Sequence, residues 1–281
     1  MFIVPADSEP DTVSTDLSLR LVTALVLAPI AMAAAWAGSW VYAALIAVSA
    51  AIVVDEWLMI CGHRASRWLQ ALILVATGVL AYLALSGRPL IALAFVAAAA
   101  LPMAALGRRL WGWFGLGVFY AGLPATALLV LRADPEYGLA ATLWLFATVW
   151  ATDSAAFACG RLLGGPRLSP RVSPHKTWAG FAGGLIAAAL VGAVAARLIA
   201  GASLAALILV GIAVSIVAQA GDLFESGLKR HFGVKDSGKL IPGHGGLMDR
   251  VDGLIAAALA AVGFGMLRAG ADLAGSGLLH W

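Results

Sequence analysis

The segment HGGLMDRVDG, residues 244–253, sets Asp249, Arg250 and Asp252 just after a Gly245-Gly246 turn. On a helix that starts after those glycines, Asp249 and Asp252 share one face near an N-terminus whose dipole favours negative charge. Asp222 stands at the end of the preceding apolar run. Three carboxylates gathered at an apolar boundary repel one another and resist desolvation unless a cation lies among them, and hard oxygen donors suit Mg²⁺. A Mg²⁺ site on Asp222, Asp249 and Asp252 is therefore expected, with a second cation beside it. The plainer alternative is that each acid makes a solvated salt bridge with Arg250, Lys229 or Lys239.

Around these acids, Lys229, Arg230, Lys235, Lys239 and His244 alternate with Gly227, Gly233, Gly238, Gly243, Gly245 and Gly246. Glycine lets backbone amides approach phosphate oxygens, so the stretch suits a shaped anion pocket better than a loop that only attracts anionic lipid. A second stretch, CGRLLGGPRLSPRVSPHKT at residues 159–177, supplies Arg161, Ser173 and Lys176 shortly after Asp153 and opens into an apolar run. A helix N-terminus carrying a lysine and hydroxyls can hold phosphate. Ser-Pro and a Thr before an apolar run are also ordinary turn and capping residues, and neither a P-loop nor a dinucleotide fingerprint is present. Asp55 and Glu56 close another apolar run and rank below these loop residues, because an acid at a helix end can reach the interface.

The elements that must position these groups are membrane helices. Of 281 residues, 62% are hydrophobic and 12% charged, with a mean hydropathy of +0.95, outside the range of water-soluble domains. Apolar runs long enough to cross a hydrocarbon core of roughly 30 Å occur about nine times, near 21–38, 40–58, 68–86, 89–106, 113–131, 139–158, 178–196, 204–222 and 253–270. Trp36, Trp40, Trp57, Trp68, Trp111, Trp113, Trp178 and Trp281 fall at or near the run ends, where an indole suits the headgroup level. The fold expected is an all-α polytopic membrane protein, one bundle of about nine transmembrane helices at 21–281 with catalytic loops on the cytoplasmic side. A polar, acidic segment at 1–20 precedes it, lacks the basic start of a secretory signal, and leaves the first span retained. Cys61 and Cys159 lie far apart in sequence and read as reduced thiols. Gly180-x-x-x-Gly184 reads as a helix-packing motif.

With the N-terminus cytoplasmic, all of the 18 Lys and Arg except Arg88, Arg132, Arg197 and Arg268 fall on the cytoplasmic side, as the positive-inside tendency requires. Both polar stretches then face the cytoplasm from an inner membrane. A transporter would place charges at the bilayer midplane and show paired half-repeats, and neither is evident. A CDP-alcohol phosphotransferase would also bring aspartates and Mg²⁺ to a membrane face, but its longer aspartate array is absent.

The stretch SGLKRHFGVKDSGKLIPGHGGLMDRVDG resembles the signature of the phosphatidate cytidylyltransferases, the CDP-diacylglycerol synthases. Every fixed position is met: Ser226, Lys229, Arg230, Lys235, Asp236, Gly238, Pro242, His244, Gly245, Gly246, Asp249, Arg250 and Asp252. GDLFES at 221–226, TDSAAFACGRLLGG and SPRVSPHKTWAG are also similar to that family, whereas the N-terminal half matches mainly in hydropathy and in DEW at 55–57. Where the family usually has a glutamate after K-T-W, this chain has Ala179.

The resemblance implies an enzyme that transfers CMP from CTP to phosphatidate, giving CDP-diacylglycerol and pyrophosphate in phospholipid synthesis. Asp222, Asp249, Asp252, Lys229 and Arg230 are the expected catalytic residues. Ser173 and Lys176 are assigned to nucleotide phosphate, and Lys229, Arg230, Lys239 and Arg250 to phosphatidate or pyrophosphate oxygens. Lys235, Asp236, His244, Gly245 and Gly246 complete the binding set, with Asp153 and Arg161 as second-tier members. The partners are CTP, phosphatidate and membrane lipids, with no nucleic acid, and family members suggest a homodimer. A cleft open toward lipid is expected, so that the headgroup enters the polar site while the tails stay in hydrocarbon.

Overall fold

The computed structural model describes residues 26–105, 109–238, 240 and 245–281. The polar segment at 1–20 and two expected site residues, Lys239 and His244, lie outside the described residues. Ten helices and one small hairpin follow in chain order. They are α1 (Val26–Ala37), α2 (Ser39–Ile60), α3 (Arg67–Leu85), α4 (Pro89–Ala105), α5 (Arg109–Ala133), α6 (Gly138–Leu163), β1 (Arg167–Ser169), β2 (Ser173–Thr177), α7 (Trp178–Leu198), α8 (Leu204–His231), α9 (Met248–Ala269) and α10 (Ala274–Leu279).

Among the described residues, six helices are long and apolar enough to cross a membrane: Ser39–Ile60, Arg67–Leu85, Gly112–Ala133, Trp178–Leu198, Leu204–His231 and Met248–Ala269. The chain is thus a helical polytopic membrane protein, and the count of nine is not reached. For two of the expected spans the described residues give the apolar stretches Val26–Ala37 and Pro89–Leu101, the latter within a helix that runs to Ala105. The third, α6, is long enough at 26 residues but is less apolar, because it carries Thr142, Thr148, Thr152, Asp153 and Ser154. Those three threonines are buried. Thr142 and Thr148 donate to carbonyls one turn back, and Thr152 donates to Ser215 Oγ on α8 at 3.0 Å, so the buried threonine hydroxyls of α6 are satisfied inside the bundle.

Consecutive helices pack side by side: α2 with α3, α4 with α5, and α6 through α9 in series, with α5 reaching α2, α6 and α9. Small residues permit the closest approaches. A Cβ at Gly180 would stand 2.7 Å from the Ala156 carbonyl oxygen, and one at Gly211 2.7 Å from that of Ala188. A Cβ at Gly184 would likewise meet Gln219 of α8 at 3.0 Å and Thr152 of α6 at 3.1 Å, so the glycines of the Gly180-x-x-x-Gly184 motif, with Gly211, set the α6–α7–α8 spacing. Trp36, Trp40, Trp68 and Trp178 are exposed, as headgroup anchors should be, whereas Trp57 is 1% exposed. Its indole is a core element that donates to the Trp113 carbonyl at 2.8 Å.

The two polar stretches are more structured than loops. Helix α6 continues to Leu163, and β1 pairs antiparallel with β2 in the register Arg167↔Thr177 and Ser169↔Ser173. Thr177 then caps α7, accepting from Gly180 N at 3.1 Å. Helix α8 runs nine residues past the expected end at 222, to His231, which places Lys229 and Arg230 on a helix. Glu225 and Lys229, one turn apart and 2.9 Å from each other, stabilise that extension. Helix α9 starts at Met248, right after the glycine pair, as the sequence predicts. Both cysteines are free.

At the opposite end of the bundle, Asp134 ties the α5–α6 turn to α10. Its Oδ1 accepts from the backbone N–H groups of Glu136 and Tyr137 at 2.9 and 2.8 Å, and its Oδ2 from Ser276 N at 2.7 Å. Burial alone would raise its pKa, but these donors together hold the carboxyl below its usual 3.8. A depressed folded-state pKa adds stability above the unfolded value, and that stability is lost as pH falls through the folded value. Asp134→Ala should therefore cost about 1–3 kcal/mol near neutral pH, read by unfolding in detergent. The gap from the parent protein should close below pH 3.8; a gap independent of pH would refute the assignment.

Candidate active site

The C-terminal ends of α2, α6 and α8 meet the N-terminal ends of α5, α7 and α9 at one end of the bundle, and the ionisable groups collect there. The packing that brings them together is apolar and aromatic. Trp57 of α2 lies against Tyr120 of α5, ring centroids 4.9 Å apart, and Tyr120 against Phe224 of α8 at 5.9 Å.

Two groups of carboxylates form around this aromatic layer. In the first, Lys229 Nζ lies between Glu225 Oε1 at 2.9 Å and Asp249 Oδ1 at 2.6 Å. The second oxygen of Asp249 accepts from Ser237 N, Ser237 Oγ and Gly246 N, each at 2.9 Å. Glu225 is fully buried, and its other oxygen lies 3.5 Å from the Tyr120 hydroxyl. Beyond Ser237, Glu56 of α2 receives the backbone N–H groups of Leu247 and Met248 at 2.8 and 2.7 Å.

In the second group, Lys176 of β2 forms an ion pair with Asp222 of α8, and Ser226 Oγ lies 3.4 Å from the same carboxylate. Asp252 stands close enough to feel the charges of Asp222, Asp153 and Lys176. Asp153 itself feels Asp222 and Lys176. Asp252 Oδ1 accepts only from its own neighbour, Gly253 N, at 2.7 Å among the bonds formed by described residues.

Asp222, Asp252 and Asp153 thus lie within electrostatic range of one another, while Asp249 bonds to Lys229 and Ser237. Among the described residues no group of three or more His, Cys, Asp or Glu side chains stands close enough to hold a metal ion. Arg161, Arg230, Lys235, Asp236 and Arg250 are exposed around the site, and Ser173 is half-buried on β2. Gly245 has φ +81°, and a Cβ there would meet Asp249 Oδ2 at 2.5 Å, so the turn before α9 requires glycine. Four residues gain weight from the structure: Glu56, Tyr120, Glu225 and Ser237. A buried acid inside the apolar DEW stretch was a signal for the first; Ser237 carried none.

Beside the acids, a cavity of about 690 Å³ opens between α1, α2, α5, α6 and α9. Its walls are apolar side chains such as Leu27, Ile46, Val53, Leu128, Phe146 and Leu254, and Asp153, Ser154 and Arg250 stand at its polar end.

Fold and site together define a helical membrane protein that gathers ionisable groups at one end of its bundle, next to an apolar cavity. The chain belongs to the cytidylyltransferase family, whose model matches residues 18–267. It is 40% identical over 263 residues, 92% of this chain and 97% of the other, to the phosphatidate cytidylyltransferase of Brucella suis. It is also 46% identical over 138 residues to the phosphatidate cytidylyltransferase of Staphylococcus haemolyticus, 49% of this chain and 52% of that one. A third relative is the enzyme of that name from Bacillus subtilis, 40% identical over 146 residues, 51% of this chain and 54% of the other.

Lys229 is the charge on which the first group depends. Its removal leaves the buried Glu225 and the half-buried Asp249 without a cation, and such an uncompensated charge costs about 3–5 kcal/mol. Lys229→Met should therefore unfold at markedly lower temperature or denaturant concentration in detergent; parental stability would show that the pair is not needed.

Proposed function

We propose that this chain transfers CMP from CTP to phosphatidate, at the cytoplasmic face of an inner membrane and with its N-terminus on that side. A phosphatidate oxygen attacks the α-phosphorus of CTP, the bond to the β-phosphate oxygen breaks, and pyrophosphate leaves as CDP-diacylglycerol forms. The observation that carries this is the apolar cavity ending at Asp153, Ser154 and Arg250 beside the Asp222–Asp252 group. A lipid tail can occupy the cavity while its phosphate meets a water-soluble nucleotide at the polar end. The positive-inside distribution of Lys and Arg supports the orientation.

The phosphatidate phosphate is already an anionic nucleophile, so catalysis depends on neutralising and aligning two polyanions more than on removing a proton. Lys176 and Ser173 take nucleotide phosphate, with Lys176 leaving Asp222 as the nucleotide arrives. Arg250, at the mouth of the cavity, takes the lipid phosphate, and Arg230, Lys235 and Lys239 attract the incoming and departing anions. Arg161 serves from the end of α6. Lys229 holds Asp249 in place.

Mg²⁺ is the cofactor we propose, with a second cation beside it. The donor chemistry fits a hard dication: Asp222, Asp252 and Asp153 stand in one another's fields, with Lys176 against them among the described residues. Asp222 and Asp252 would hold it, with Asp249 joining them if it leaves Lys229. When bound, the ion supplies charge stabilisation to the nucleotide phosphates. A homodimer in the membrane belongs to the same proposal.

The test is incubation of purified protein with phosphatidate, labelled CTP and Mg²⁺ in lipid nanodiscs. Labelled CDP-diacylglycerol should form, chelation should abolish it, and Asp222→Asn and Asp249→Asn should each lower the rate by about 10²-fold or more while the protein stays folded. No liponucleotide from the parent protein would overturn the activity; full turnover by both variants would overturn the role of the acids.

A further inference from the structure

The group that fixes the start of α9 comes from the other half of the chain. Glu56 is 181 residues from Ser237 and 191 from Leu247, and its side chain is 1% exposed. Helix α9 has no side-chain cap of its own, since Leu247 stands in that position with helical backbone angles. The unpaired N–H groups of its first turn need acceptors. Glu56 supplies them: Oε1 accepts from Leu247 N, and Oε2 from Met248 N. A carboxylate there also suits the positive end of the helix dipole.

The same carboxylate reaches the acids through one hydroxyl. Ser237 Oγ lies 3.0 Å from Glu56 Oε2 and 2.9 Å from Asp249 Oδ2, so it joins the two. The backbone is shaped to admit this contact. A Cβ on Gly238 would stand 3.2 Å from Glu56 Oε1, and one on Gly246 would collide with both Ser237 Oγ and Glu56 Oε2. Glu56 is itself held, because the next residue, Trp57, is anchored to the Trp113 carbonyl of α5.

We infer that Glu56 is a positioning residue of the transfer site: it sets the depth and rotation of the first turn of α9, and through that turn the placement of Asp249 and Asp252, without touching substrate. A glutamine cannot replace it, since two backbone donors and a hydroxyl converge on the two carboxylate oxygens and an amide NH₂ would oppose one of them. The inference rests on the function proposed above, and it concerns a group that only supports the acids.

The experiment compares parent, Glu56→Gln and Ser237→Ala proteins in nanodiscs, reading kcat, KM for phosphatidate, the Mg²⁺ concentration for half-activation and the unfolding temperature with and without Mg²⁺. Glu56→Gln should lower kcat about 10–100-fold, move half-activation to higher Mg²⁺ and shrink the Mg²⁺-induced rise in unfolding temperature. KM for phosphatidate should not change. Ser237→Ala should shift the same quantities in the same directions, and it decides the matter if Glu56→Gln does not fold. Parental kcat and Mg²⁺ response in Ser237→Ala and any folded Glu56→Gln, or a loss that only follows the folded fraction, would overturn the inference. Absence of turnover in the parent protein would instead sink the underlying activity.

Discussion

A carboxylate inside an apolar helix bundle survives only if donors or cations reach it, and this requirement organises one end of the molecule. Desolvating an isolated acid there costs several kcal/mol. The chain meets the cost with Lys229 between Glu225 and Asp249, with Lys176 against Asp222, and with backbone amides delivered to Glu56 and Asp249. Apart from the local Glu225–Lys229 and Gly246–Asp249 contacts, each of these joins different parts of the chain. The acids therefore act as fasteners between α2, α8, α9 and β2 as well as candidates for chemistry.

The carboxylates divide their labour. Asp249 and Glu56 are saturated by hydrogen bonds, which suits groups that hold a turn in place. Asp222, Asp252 and Asp153 feel one another's charges, and among the described residues Lys176 opposes them, next to the polar end of the cavity where Arg250 also stands. Under the proposed function, a cation is the complement of such a place, and a nucleotide phosphate approaches it only alongside that cation. The apolar cavity continues from these groups into the bundle between α1, α2, α5, α6 and α9, which is the arrangement the proposed transfer between a water-borne anion and a lipid would use.

Much of this could be read from the chain itself. Apolar runs marked the helices, and the glycine pair before Asp249 marked the start of α9. The signature residues pointed to polar groups that the fold gathers at one end of the bundle. Helix ends were less legible: Lys229 and Arg230 continue α8 because Glu225 pairs with Lys229, an effect that hydropathy does not register. The hairpin of β1 and β2 is too short for period-two alternation to show. The partners of Asp249 were hidden because helical spacing shows only that Asp249 and Asp252 share a face, whereas Lys229 and Ser237 come from elsewhere in the chain. Glu56 could be suspected from its apolar surroundings, but its contacts span more than half the chain.

The central claim is that Asp222 and Asp252 create a negative site that binds nucleotide only together with a divalent cation. The most direct measurement is calorimetric titration of a non-hydrolysable CTP analogue into the detergent-purified protein, with and without Mg²⁺, using the parent chain and Asp252→Asn. The account predicts binding that requires Mg²⁺ in the parent and is lost in the variant. Equal binding without Mg²⁺, or unchanged Mg²⁺-dependent binding by Asp252→Asn, would contradict it.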